Sequence, residues 1–89
     1  MAVPLRFLRK PDVLQREGFA NSTLYDNIKR GVHTRPVQLG ANSSGWPEHE
    51  VDLLMAARMA GKSDDEIRDR VNRLHAQRVE LFDDLAKAS

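Results

Sequence analysis

A chain of 89 residues has room for one small domain with at most one appended element, and its core must be modest. The absence of cysteine excludes a disulfide framework and a thiolate metal centre. No apolar run is long enough to span a bilayer, and Met1 to Leu8 contains no extended apolar stretch of a secretory leader, so a cytoplasmic protein without a membrane partner is expected.

The net charge is only +1, but it is unevenly placed. Residues 1–47 carry seven basic groups against three acidic ones, a net +4, and residues 48–89 carry seven against ten, a net −3. An asymmetry of this kind suggests that the first half meets a polyanion.

Arg6 to Arg9 alternates only partly and is expected to be a short strand or an ordered arm. A first helix follows over Pro11 to Glu17. Proline suits its first turn, where the missing N–H has no partner anyway, and Asp12 complements the positive end of the helix dipole. Val13 and Leu14 supply its inward face, Gly18 ends it, and Phe19 should plug the space beside the next helix.

The second helix spans 22–30, with Asn21 as N-cap or Ser22 in its place. Leu24 and Ile28, four residues apart, share the buried face, and Gly31 stands at the C′ position. Ser22, Asp26, Lys29 and Arg30 then point outward, with Thr23, Tyr25 and Asn27 on the flanks. Val37 to Leu39 and Ser44 to Trp46 read as a small hairpin around a segment rich in turn formers, with Trp46 turned into the core. A third helix opens at Pro47-Glu48 and ends at Gly61. It places Val51, Leu54, Met55 and Arg58 on one face, with Leu53 and Ala57 beside them.

Ser63-Asp64-Asp65-Glu66 is a capping box for a fourth helix that runs to about Lys87, roughly 35 Å. Ile67, Val71, Leu74, Leu81 and Leu85 form a heptad seam, interrupted by Arg78 and widened by Val79 and Phe82. Two dispositions are open. The seam pairs with a second copy, which is the expectation preferred here, or the helix folds back over Leu54 and Met59. Arg78 would pair with Glu80 or Asp84, or limit how two helices align.

Two short helices joined by a tight turn, then a hairpin, describe a mainly α winged helix-turn-helix with a long C-terminal helix. Residues 1–61 would be the DNA-binding domain and 62–89 a candidate self-association element. Four segments carry a resemblance in order and spacing: Arg9-Lys10-Pro11-Asp12-Val13-Leu14; Asn21-Ser22-Thr23-Leu24-Tyr25 with Ile28-Lys29 and Gly31; Pro36-Val37-Gln38-Leu39-Gly40; and Gly45-Trp46 with Glu48 and Val51. Over roughly residues 5–60 the chain resembles the AlpA family of prophage regulators, within a wider group that includes phage excisionases and MerR-type DNA-binding domains. The resemblance implies a DNA-binding fold with helix 22–30 in the major groove and hairpin 37–46 as a wing on the backbone or minor groove. It also implies a role in mobile-element biology, with an integrase or RNA polymerase as the protein partner. Two positions depart from the family pattern, which commonly has a basic residue at Asp26 and an arginine at Asn42.

On this reading, Asn21, Ser22, Thr23 and Tyr25 serve phosphates at the helix start, with core packing the alternative for Tyr25. Base edges would be read from Ser22, Asp26, Asn27 and Arg30: asparagine suits adenine, arginine suits guanine, and an acid can accept from cytosine. Lys29 would add a phosphate contact, its alternative being plain solvation. Arg35, Gln38, Asn42 and Ser43 would grip the flanking strand. One copy would neutralise roughly four or five phosphates, which implies weak, salt-sensitive binding and a need for a dimer. Ile67, Val71, Leu74, Leu81, Phe82 and Leu85 are its candidate contacts.

Catalysis is not expected. His33, His49 and His75 lack metal-ligand spacing, Asp64 to Glu66 are better explained as cap and dipole partners, and no nucleophile has a base nearby. No cofactor or metal is expected. Two alternatives compete with a sequence-specific regulator: an excisionase-like architectural factor that bends DNA for an integrase, and a protein–protein adaptor acting through the 63–88 helix.

Overall fold

The computed structural model describes residues 5–88. The first four residues of the Met1–Leu8 segment lie outside them. In chain order the elements are β1 (Phe7–Leu8), α1 (Lys10–Glu17), α2 (Asn21–Lys29), β2 (Val37–Gly40), β3 (Ser43–Pro47), α3 (Glu48–Met59) and α4 (Asp64–Ala88). This is the mainly α winged helix-turn-helix expected from the sequence, with one addition. The hairpin β2–β3 gains a third strand, because β1 pairs antiparallel with β3 through Phe7↔Pro47 and Leu8↔Trp46, giving the order β1-β3-β2. Gly45 permits that close approach: a Cβ there would lie 3.0 Å from the Leu8 carbonyl oxygen. In the hairpin itself, Leu39 is an extra residue between the pairs Gln38↔Ser44 and Gly40↔Ser43.

Two apolar clusters hold the elements. Leu8, Val13, Leu24, Trp46 and Val51 form the first, with Leu14, Phe19, Ile28 and Met55 packed against it. One residue from each of β1, α1, α2, β3 and α3 meets there, so α2 and the wing are anchored on the same core. Trp46 is fully buried, and its indole N–H donates to the Thr34 carbonyl at 2.9 Å. Val32, Leu54, Ile67, Val71 and Leu74 form the second cluster, with Ala57 beside it.

That second cluster corrects the reading of the fourth helix. Ile67, Val71 and Leu74 are buried within their own chain and are not available to a second copy. The first half of α4 folds back over Leu54, as in the alternative disposition, while Met59 stays 82% exposed. Leu81, Phe82 and Leu85 remain exposed. The same periodicity therefore serves two environments, which heptad spacing by itself does not distinguish.

Arg78, in the gap of the seam, pairs with neither Glu80 nor Asp84. It makes a forked contact with Glu50 of α3, Nε–Oε2 2.8 Å and Nη2–Oε1 2.6 Å, and Nη2 also donates to the Arg35 carbonyl at 2.7 Å. Glu50 is fully buried, so its charge is balanced by this one guanidinium. One turn earlier, the His75 Nε2 accepts the backbone N–H of Arg35 at 3.1 Å. Residues 78 and 75 of α4 thus fix the chain just before the wing.

His75 carries a pH prediction. Burial, then the positive charges of Arg78 and Arg35, hold its pKa below the ordinary histidine value of 6.5, against a smaller opposing effect of Glu50. The unfolded chain therefore binds the proton more readily. The stability contributed by neutral His75 is fully present above pH 6.5 and is lost as pH falls from there towards the lowered folded value. Thermal melts at pH 7.5 and 5.5 should differ less for His75→Gln than for the parent, and an unchanged difference would contradict this.

The capping box forms as the sequence indicates: the Glu66 N–H donates to the Ser63 hydroxyl and the Ser63 N–H to the Glu66 carboxylate, both at 3.2 Å. The Ser63 backbone N–H, then the Ser63 side chain and the Lys62 charge, hold the Glu66 carboxyl below its usual range. Among the described residues no helix is long and apolar enough to cross a membrane.

Candidate nucleic-acid interface

The second helix starts one residue earlier than the sequence suggested. Ala20 occupies the N-cap position, without a side-chain cap, and its carbonyl accepts the Leu24 N–H at 3.1 Å. Asn21 and Ser22 are therefore helical residues and neither caps the helix, which corrects both assignments. An uncapped start leaves the backbone N–H groups of the first turn without intrahelical acceptors. Around that turn Asn21, Ser22 and Thr23 are all exposed.

Leu24 is buried and Ile28 half-buried, so α2 lies on the first cluster by the expected face. Asp26 and Lys29 are exposed on the opposite face, and neither forms an ion pair among the described residues. Tyr25 is 45% exposed, so its ring is not a core residue. The Lys10 ammonium stands over it, 5.5 Å from the ring centroid. Asn27 is a correction: at 8% exposure it belongs to the inner side of the helix and cannot reach a base edge. At 100° per residue it lies 60° from Leu24, close enough to be covered by the same core.

The C-terminal end of α2 is tied to α4. Arg30 Nη2 bonds Asp64 Oδ2 at 2.8 Å, with both side chains about half exposed, and its carbonyl accepts Arg68 Nε at 3.0 Å. Gly31 makes this docking possible: its φ of +80° suits glycine, and a Cβ there would lie 3.3 Å from Arg68 Cγ. Arg30 therefore faces solvent with its charge already partnered, and a phosphate would compete with Asp64 for it.

The wing is less open than its composition suggests. The Gln38 side-chain amide donates to the carbonyls of Gly40 and Ala41, so it braces the hairpin loop. Ser43 is half-buried, while Asn42 and Arg35 are exposed. Arg35 forms no ion pair among the described residues, and its backbone is held by His75 and Arg78. Arg9 Nη1 reaches towards the Ser44 carbonyl at 3.5 Å.

Two features escaped the sequence reading. Lys10 adds a cation beside Tyr25; its place at the start of the helix preceding α2 was the available signal, since the first helix of such a motif crosses the DNA backbone. The second is a buried polar post behind α2. His33 Nε2 lies 2.7 Å from Glu17 Oε2, its Nδ1 lies 2.9 Å from the Thr34 carbonyl, and its ring packs edgewise on Phe19 and Trp46. Neither residue type nor spacing announces that pairing, because Glu17 and His33 lie sixteen positions apart.

Residues 6–59 match the model of the family described as the prophage CP4-57 regulatory protein (AlpA). The chain belongs to the AlpA family. The matched span takes in β1 to α3 and thus the whole candidate interface of this AlpA chain. It is also 40% identical over 57 residues to the uncharacterized protein ORF88 of Enterobacteria phage P4, a span of 64% of this chain and 65% of that protein's length. No solved structure matches the chain. The second half of α4 lies outside both the family match and the first cluster.

Proposed function

We propose that this AlpA-family chain is a non-enzymatic, sequence-specific DNA-binding regulator of a prophage or related mobile element, with α2 in the major groove and the β2–β3 hairpin as wing. The observation that carries this reading is the outer face of α2. Asn21, Ser22, Thr23, Asp26 and Lys29 are all exposed beside an uncapped helix start, while Leu24 and Ile28 hold the other face to the core. Lys10, Lys29, Arg30 and Arg35 put positive charge around that face and before the wing. The bases would be read by Ser22, Asp26 and Arg30. Lys10, Lys29, Tyr25 and Arg35 would serve the phosphates, which position without specifying. Asn42 is the wing residue best disposed to touch DNA.

An excisionase-like architectural factor would use the same surface and is the second reading. Selection of bound fragments from a genomic library, followed by footprinting, tests both. Recovery of a shared site over an integrase promoter supports regulation, and protection confined to an attachment site supports excision. Failure to enrich any sequence contradicts specific recognition.

A further inference from the structure

α4 is a continuous helix whose apolar stripe changes company part-way along. Ile67, Val71 and Leu74 are buried in the second cluster. Leu81 and Leu85 continue the same stripe at 37% and 53% exposure, with Phe82 beside them at 69% and Val79 at 63%. At the base of this overhang lies an apolar groove of about 420 Å³, lined by Leu5, Phe7, Val37, Pro47 and by Leu81 itself, with Arg6 on its rim. Groove and overhang are thus one continuous surface. The helix cannot fill the groove with its own tip, because Leu85 lies roughly 6 Å further along the axis than Leu81.

We infer that the occupant of this groove is the α4 end of a second copy of the chain, in an isologous pair where each overhang lies across the other's groove. Two observations select that occupant. The surface contains both an apolar groove and an exposed apolar helix face, which is the self-complementarity a two-fold interface needs. The charges also match. The overhang carries Glu80, Asp83 and Asp84 with only Lys87 against them, and none of the three acids forms an ion pair among the described residues. Arg6 lines the groove; its side chain is 66% exposed and shares a 3.5 Å surface pair with Glu48, with which an incoming carboxylate would compete. The acidic tip of one helix then faces Arg6 of the other copy. The proposed contact differs from the heptad pairing expected from sequence in being helix to groove and in using the second half of the seam only.

The test needs no DNA, so its outcome is independent of the proposed function. Because the chain has no cysteine, single cysteines report proximity without background. A mixture of Leu85→Cys and Val37→Cys chains should form the mixed disulfide in preference to either homodimer. In sedimentation equilibrium, Phe82→Asp with Leu85→Asp should raise the dissociation constant of the pair at least about 30-fold. At concentrations where the parent is monomeric the thermal melt should be retained, since both residues are exposed. Three results would overturn the inference: a monomer at every concentration, Leu85→Cys that joins only to itself, or association gained only when residues 1–4 are removed. The last would mean that the chain's own first residues occupy the groove.

Discussion

Replacing Arg78 with alanine is expected to destabilise the fold by about 3–5 kcal/mol, the usual cost of stranding a buried charge. Glu50 is fully buried, and its two carboxylate oxygens are bonded by Arg78 at 2.8 and 2.6 Å. Removing the guanidinium leaves that carboxylate in the body of α3 with no compensating cation, and frees the Arg35 carbonyl as well. A domain of this size has roughly 5–10 kcal/mol in total, so most of its stability is at stake. Urea unfolding followed by circular dichroism measures the loss. The double replacement Glu50→Leu with Arg78→Met should recover most of it, because an apolar pair removes the desolvation cost of both charges. A loss below about 1 kcal/mol for Arg78→Ala would show that water or another cation reaches Glu50.

The second large effect concerns DNA affinity. If α2 lies along the major groove, Lys29→Ala should reduce the slope of log K against log salt by about 1, and Lys29→Glu should weaken duplex binding at least about tenfold at low salt. Arg30→Ala should weaken it less, because part of that charge is already neutralised by Asp64 at 2.8 Å. Asp64→Asn should then tighten binding by releasing Arg30, which is an effect of opposite sign from a residue outside the wing and α2. Fluorescence anisotropy across a salt series measures all four. Equal salt slopes for the parent and Lys29→Ala would place Lys29 away from phosphate.

Local signals in the sequence were strong where a residue does one thing. Gly31 and the Ser63–Glu66 box each have a backbone requirement that only a few residue types meet, and both took their expected places. Leu24, Ile28 and Trp46 faced the core because their apolar surface has no better use. What failed to show was pairing over long separations. The partners Glu50 and Arg78 lie 28 positions apart, and nothing in local periodicity says that a charge in a helical seam answers a carboxylate on another helix. The same limitation hid the pairing of β1 with β3, since two residues are too few to display an alternation. It also let Ile67, Val71 and Leu74 pass for an intermolecular seam: an apolar stripe announces burial, not the identity of its cover.

Asn21 suits a cap by its side chain, yet the chain enters α2 at Ala20. An uncapped start leaves the N–H groups of the first turn open, as the proposed phosphate contact requires. Asn27 shows the converse. Its residue type suits adenine, but its angular position puts it under the helix, so Asn27→Ala is expected to affect stability before affinity.

The most direct measurement is an amide-shift titration of the full chain with a short duplex at low ionic strength. Contact of α2 and the wing with DNA predicts the largest changes at residues 21–30, at Lys10 and around Asn42, with the interior of α3 unmoved. Changes confined to residues 79–88, or none on α2 while the duplex binds, would contradict it.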